Sequence, residues 1–129
     1  MNADESPIEL AGLRVTVDRV VYRLMPFADK PHSFVYFITI HNDSLATVTI
    51  TRRKWVITYA DGRTEVLVGK GVVGQTPEVQ PGETFSYNSQ HFIAGPHATA
   101  TGAYLGTTSD GRAVAVRIPP FRLVVAGGR

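Results

Sequence analysis

The sequence predicts an all-β fold, a β-sandwich or barrel. Three observations predict it. Apolar and β-branched residues alternate with polar ones in segment after segment, the period of a half-buried strand. Turn signals return every ~8–12 residues, and two of them are Asp-Gly pairs, at 61–62 and 110–111. No stretch sustains a capped 3.6-residue period, so nothing reads as a helix.

The elements follow in order. "RVTVDRVVYRL" (14–24) alternates around Val15 and Val17. "FVYFITIH" (34–41) is dense in aromatic and β-branched residues and reads as a central strand, with Phe34, Tyr36, Ile38 and Ile40 on one face. "HNDS" (41–44) is a turn. "ATVTITRRKWVITY" (46–59) carries a defect: Val48 and Ile50 set the apolar face on even positions, whereas Trp55, Ile57 and Tyr59 set it on odd ones. The pleat has a period of two, so a bulge or bend is expected within Thr51–Lys54. "ADGR" (60–63) turns the chain into "TEVLV" (64–68).

Pro77, Pro81 and Gly82 rule out a helix after the glycine stretch. "TFSYNSQHFI" (84–93) sets Phe85 and Tyr87 against Thr84, Ser86 and Asn88, and "AGPH" ends it. Residues 98–107 read as a weaker strand around Tyr104 and Leu105. "SDGR" (109–112) turns into "AVAVRI" (113–118), and "PPFRLVV" closes the chain as an edge strand behind two prolines. One domain over residues 1–129 is expected, with its core at about 14–123 and frayed ends at 1–11 and 126–129.

Composition narrows the function classes. A net charge of +2 is too mild to argue for nucleic acid or an anionic membrane. Cysteine is absent, which excludes disulfides, thiolate metal sites and a thiol nucleophile. The acidic start "MNADESPIEL" lacks a signal pattern. No apolar run approaches the ~20 residues that span a bilayer. A soluble cytoplasmic protein is expected.

"GKGVVG" (69–74) has the G-x-G-x-x-G spacing of dinucleotide-binding loops. That fingerprint needs a helix behind it, whose N-terminus holds the pyrophosphate. No helix can follow here, so the dinucleotide reading fails. The reading favoured is that Gly69, Gly71 and Gly74 serve backbone geometry. The alternative is a backbone nest in which Gly69, Lys70, Gly71 and Gly74 bind phosphate, pyrophosphate or a nucleotide.

Other chemistry is sparse. His32, His41, His91 and His97 are not paired at metal-ligand spacing and read as exposed loop histidines, although His91 and His97 flank one loop. The acids are scattered, and Asp61 and Asp110 belong to turns. Ser86 and Ser89 have no nucleophile elbow. Trp55 reads as core, and Arg52, Arg53 and Lys54 as a solvated edge that discourages strand pairing. No catalytic residue, metal or cofactor is expected.

"GKGVVGQTPEVQPGETFSYNS" (69–89), "GAYLGTTSDGRAVAVRIPPFRL" (102–123) and "RRKWVITYADGR" (52–63) together resemble the ApaG family. The resemblance implies a fibronectin type III-like, or immunoglobulin-like, antiparallel β-sandwich of about seven to eight strands. It also implies a link to cobalt resistance and magnesium efflux, without a settled biochemical activity. In eukaryotic members the domain is regarded as a protein-interaction module. The chain departs from the family pattern at Lys54, often His there, at Tyr59, and in "HFIAGPHATATG", departures expected in loops or exposed edges. A non-enzymatic module docking an unidentified protein or peptide is therefore expected, with Arg52, Arg53 and Lys54 on its interaction surface.

Overall fold

A computed structural model describes residues 6–125, and every regular element among them is a strand. The strands are β1 (Ile8–Glu9), β2 (Leu13–Leu24), β3 (His32–Asn42), β4 (Val48–Tyr59), β5 (Thr64–Lys70), β6 (Glu78–Val79), β7 (Thr84–Ile93), β8 (His97–Thr108) and β9 (Ala113–Val124). They form two sheets, β1-β9-β8-β4-β5 with β6 also on β4, and β2-β3-β7. The expected sandwich is present, with seven long strands and two of two residues each.

All pairings are antiparallel except one: Ile8 and Glu9 pair parallel with Val114 and Ala115. Residues 8 and 9 of the end expected to fray are thus paired, while residues 1–5 and 126–129 lie outside the described residues. A second correction concerns the C-terminal segment. "AVAVRI" and "PPFRLVV" are one strand, β9, and its register on β8 slips between Ile118 and Phe121. Pro119 and Pro120 occupy that slip. A proline has no N–H for the ladder, and the bulge accommodates two of them.

The core is the inner faces of both sheets. Phe34, Tyr36, Ile38 and Ile40 of β3 are buried together, and β3 is the central strand of its sheet. Segment 98–107 is stronger than its composition suggests. As β8 it lies between β4 and β9, with Ala98, Ala100 and Tyr104 buried. Its small residues weaken the hydrophobic pattern because close packing in the middle of a sheet selects them. Phe85 and Tyr87 face inward and Thr84, Ser86 and Asn88 outward, in the predicted phase; the first two are only half-buried because β7 is an edge strand. The two sheets meet along a seam where β2 lies against β9. The opposite side, between β5 and β7, is where the site discussed next opens.

Candidate functional site

The site begins with one extra residue in β4. The register of β4 on β8 shifts between Ile50 and Arg52, so Thr51 is the bulge. Before it Val48 and Ile50 face inward; after it Arg53, Trp55 and Ile57 do. The bulge therefore turns an arginine toward the opposite sheet. This corrects the reading of Arg53 as part of a solvated edge, whereas Arg52 and Lys54 do face solvent.

Arg53 crosses the inner side of β5. It stands opposite Gly69 in the β4–β5 register, and its guanidinium lies where a side chain at 69 would be. From there Nη1 donates to the carbonyls of Lys70 at 2.9 Å and Gly71 at 3.1 Å. Gly69 is thus a glycine so that an arginine can pass over it.

The rest of "GKGVVG" is a tight hairpin. Val72 and Gln75 exchange two backbone hydrogen bonds of 2.7 and 2.9 Å, and Val73 and Gly74 between them have φ of 43° and 79°. Two positive φ angles in a two-residue loop make a type I′ turn. Gly71 has φ 63° and packs against the Gln75 carbonyl. Its N–H donates to Thr51, the bulge residue, at 2.6 Å. The N–H groups of Gly71 and Val72 are therefore engaged within the protein rather than converging on a ligand. Lys70 is exposed beside them. The glycines serve backbone geometry and packing.

Between β5 and β7 the two sheets leave a groove of about 470 Å³ lined by Tyr36, Arg53, Trp55, Leu67, Ser89 and His91, with Val66 and Val68 at its rim. Its floor is aromatic. His91 stacks on Tyr36 with ring centroids 4.7 Å apart and meets Trp55 edge-on at 4.6 Å. Trp55 is 2 % exposed, as expected of a core residue, and His91 6 %. His91 is therefore no exposed loop histidine; it sits on β7, and His32 and His41 sit on β3.

The electrostatics follow from burial. Burial holds the His91 imidazole down to a pKa of about 4, against a weak upward pull from Glu65, so it is neutral at pH 7. Burial pushes the Tyr36, Tyr87 and Tyr104 hydroxyls up. Those of Tyr87 and Tyr104 hydrogen-bond to each other. Two nitrogens stand out: among the described residues, Trp55 Nε1 and His91 Nε2 are buried without a hydrogen-bond partner. An unmet buried donor or acceptor costs about 1–3 kcal/mol.

One end of the groove adjoins a charged cluster. Glu65 accepts from the Tyr59 hydroxyl at 2.6 Å and from Lys30 Nζ at 3.4 Å, and the Tyr59 bond, then Lys30, lowers its pKa. Tyr59 thus ends β4 inside a polar cluster, while "HFIAGPHATATG" runs from the end of β7 through the connection at 94–96 into β8. Among the described residues no three His, Cys, Asp or Glu side chains converge as a cation site.

Sequence reasoning singled out Arg53 and Gly69, and the structure brings these two together. It missed His91, Ser89, Tyr36 and Leu67 as groove residues. A signal for His91 was present: Phe85, Tyr87, Ser89 and His91 continue one face at period two.

The geometry can be set beside known proteins. The family model described as the ApaG domain matches residues 27–107. The chain belongs to the ApaG family. It is 39% identical over 118 residues to the protein ApaG of Anaeromyxobacter dehalogenans strain 2CP-C, covering 90% of this chain and 92% of that one. To the protein ApaG of Rhodospirillum centenum it is 39% identical over 120 residues, covering 92% of each. Among solved structures, the Northeast Structural Genomics Consortium target SoR45 matches with a TM-score of 0.82 at 31% identity, covering 90% of this chain and 89% of that one. A structure described as an ApaA protein from Bordetella pertussis matches with a TM-score of 0.74 at 32% identity, covering 92% and 98%. ApaG membership and the ApaG sandwich agree with the resemblance read from the sequence. No helix among the described residues is long and apolar enough to cross a membrane.

Proposed function

We propose that this ApaG-family chain is a non-enzymatic interaction module that docks a protein or peptide partner along the β4–β5 edge. One observation carries the reading: the edge strand β5 exposes Val66, Leu67 and Val68 in succession, at 54 %, 41 % and 57 %. Three successive exposed apolar residues on a strand with an open edge invite pairing with an extended segment. Arg52 and Lys54 flank it on the outer face and would steer an approaching partner. The family's link to cobalt resistance and magnesium efflux then runs through such a partner rather than through a resident ion.

Cross-linking from a lysate, with photoreactive groups at Val66 or Val68, tests the reading. A discrete partner captured at these positions and not from the outer face of β2 is expected. Labelling that is the same at both faces sinks the proposal, as does saturable pyrophosphate binding abolished by Lys70→Ala.

A further inference from the structure

The β4–β5 edge has a pattern of charge that its own chain does not answer. Among the described residues the ion pairs involve Arg14, Lys30, Arg63, Arg112 and Arg117, and none involves Arg52, Arg53, Lys54 or Lys70. Arg52 and Lys70 stand directly opposite each other in the β4–β5 register. Like charges at opposed positions of a sheet repel unless an anion lies between or beside them. These two and Lys54 share the outer face with Val66 and Val68, while Arg53 occupies the inner face.

The inner face supplies a second, independent demand for an acceptor. The indole N–H of Trp55 is a donor only, is buried, and has no partner. It is two residues from Arg53 on the same face of β4. Arg53 spends Nη1 on the carbonyls of Lys70 and Gly71, which fixes its planar fork across β5, close to the open edge. A fixed guanidinium recognises carboxylate with both geometry and charge. Glu65, the nearest acid on the inner face of β5, is already held by Tyr59 and Lys30. Leu67 faces inward opposite Trp55, and its exposure marks it as the side chain that yields to let an occupant in.

We infer that the groove between β5 and β7 reads a carboxylate, delivered by an acidic extended peptide that adds to the open edge of β5. The peptide continues the sheet beyond β5. Its inward side chain beside Gly69 meets the Arg53 guanidinium, and the carboxylate reaches on to the Trp55 indole N–H once Leu67 swings aside. Its outward side chains lie over Val66 and Val68 and beside Arg52, Lys54 and Lys70. The inference rests on the docking reading above and deepens it by naming the partner's chemistry.

The single tryptophan reports on the groove directly. The experiment titrates the full chain with a blocked seven-residue peptide of alternating Glu and Val, the length of β5, and follows Trp55 emission. A saturable response is expected that weakens with added salt and is lost with the Lys-Val counterpart. Arg53→Gln should weaken binding by about tenfold or more. Leu67→Glu should supply the carboxylate from within the chain and abolish the response; it guards against a loss of fold in Arg53→Gln, and thermal melting monitors both. Equal binding of the Lys-Val peptide, undiminished binding by Arg53→Gln, or free glutarate binding as tightly as the peptide would each overturn the inference. A single-stranded oligonucleotide that outcompetes the peptide would do so too. If the groove fails these tests while lysate partners still cross-link at Val66, docking stands and only the carboxylate assignment falls.

Discussion

Trp55 is the residue on which the inner face turns. It is packed between Tyr36 at 5.0 Å, His91 at 4.6 Å and Phe121 at 5.8 Å. Trp55→Ala should cost about 3–5 kcal/mol, because three rings lose contacts they cannot recover by collapse. Denaturant unfolding followed by circular dichroism measures it, and a loss below ~1 kcal/mol would deny Trp55 its core role. His91 adds a pH dependence. Its folded pKa of about 4 lies below the ordinary 6.5 of the free side chain, so below pH 6.5 the unfolded chain binds the extra proton. The stability it contributes by staying neutral is complete above pH 6.5 and is lost as pH falls toward 4. The loss is up to about 3 kcal/mol. The measurement is the difference between wild type and His91→Phe. Parallel stability-against-pH curves for the two would contradict the buried, neutral imidazole.

Within elements, the Thr51 bulge and the I′ hairpin work as a pair, since the Gly71 N–H bonds the Thr51 carbonyl. Gly71→Val forces a side chain against the Gln75 carbonyl at positive φ and should destabilise well beyond the ~1 kcal/mol of glycine's entropy. Lys70→Ala should stay within about 0.5 kcal/mol. Val73 is the opposite case: a β-branched residue at φ 43° is strained, and the turn type prefers Asn there. Val73→Asn should raise stability by about 1 kcal/mol, read as a higher urea midpoint at unchanged slope; a lower midpoint would mean that Val73 makes contacts worth more than its strain. The bulge was legible from the sequence because period two makes a slip visible: Ile50 and Trp55 cannot share a face without an extra residue. The I′ turn was not, since Val at its first position hides it. The strength of β8 was hidden too, because Ala98 and Ala100 pack a core without raising local hydropathy. The groove escaped notice because it lies between strands distant in sequence. Alternation could place Arg53 and His91 each on an inner face, but only the packing of one sheet on the other sets those faces together.

At the scale of the whole molecule the sandwich is asymmetric. One side is sealed where β2 lies against β9, and β1 adds a short parallel cover on β9. On the other side β5 has one neighbour, and even its inward Leu67 is in contact with solvent. Local opening follows burial and ladder bonding, so the weakest long strand should be the one with fewest of both. Hydrogen exchange on the folded protein should then find amides of Thr64–Lys70 opening at several kcal/mol below those of β3 and β8. Val66 and Val68 should be among the first to exchange, and the Arg53 bonds to Lys70 and Gly71 should leave the C-terminal end of β5 slower than its middle. Binding of an acidic peptide along this edge would close the gradient by pairing the free side of β5. Protection in β5 equal to that in β8 without any ligand would mean that the open side is already closed, and the surface assigned to docking would not exist.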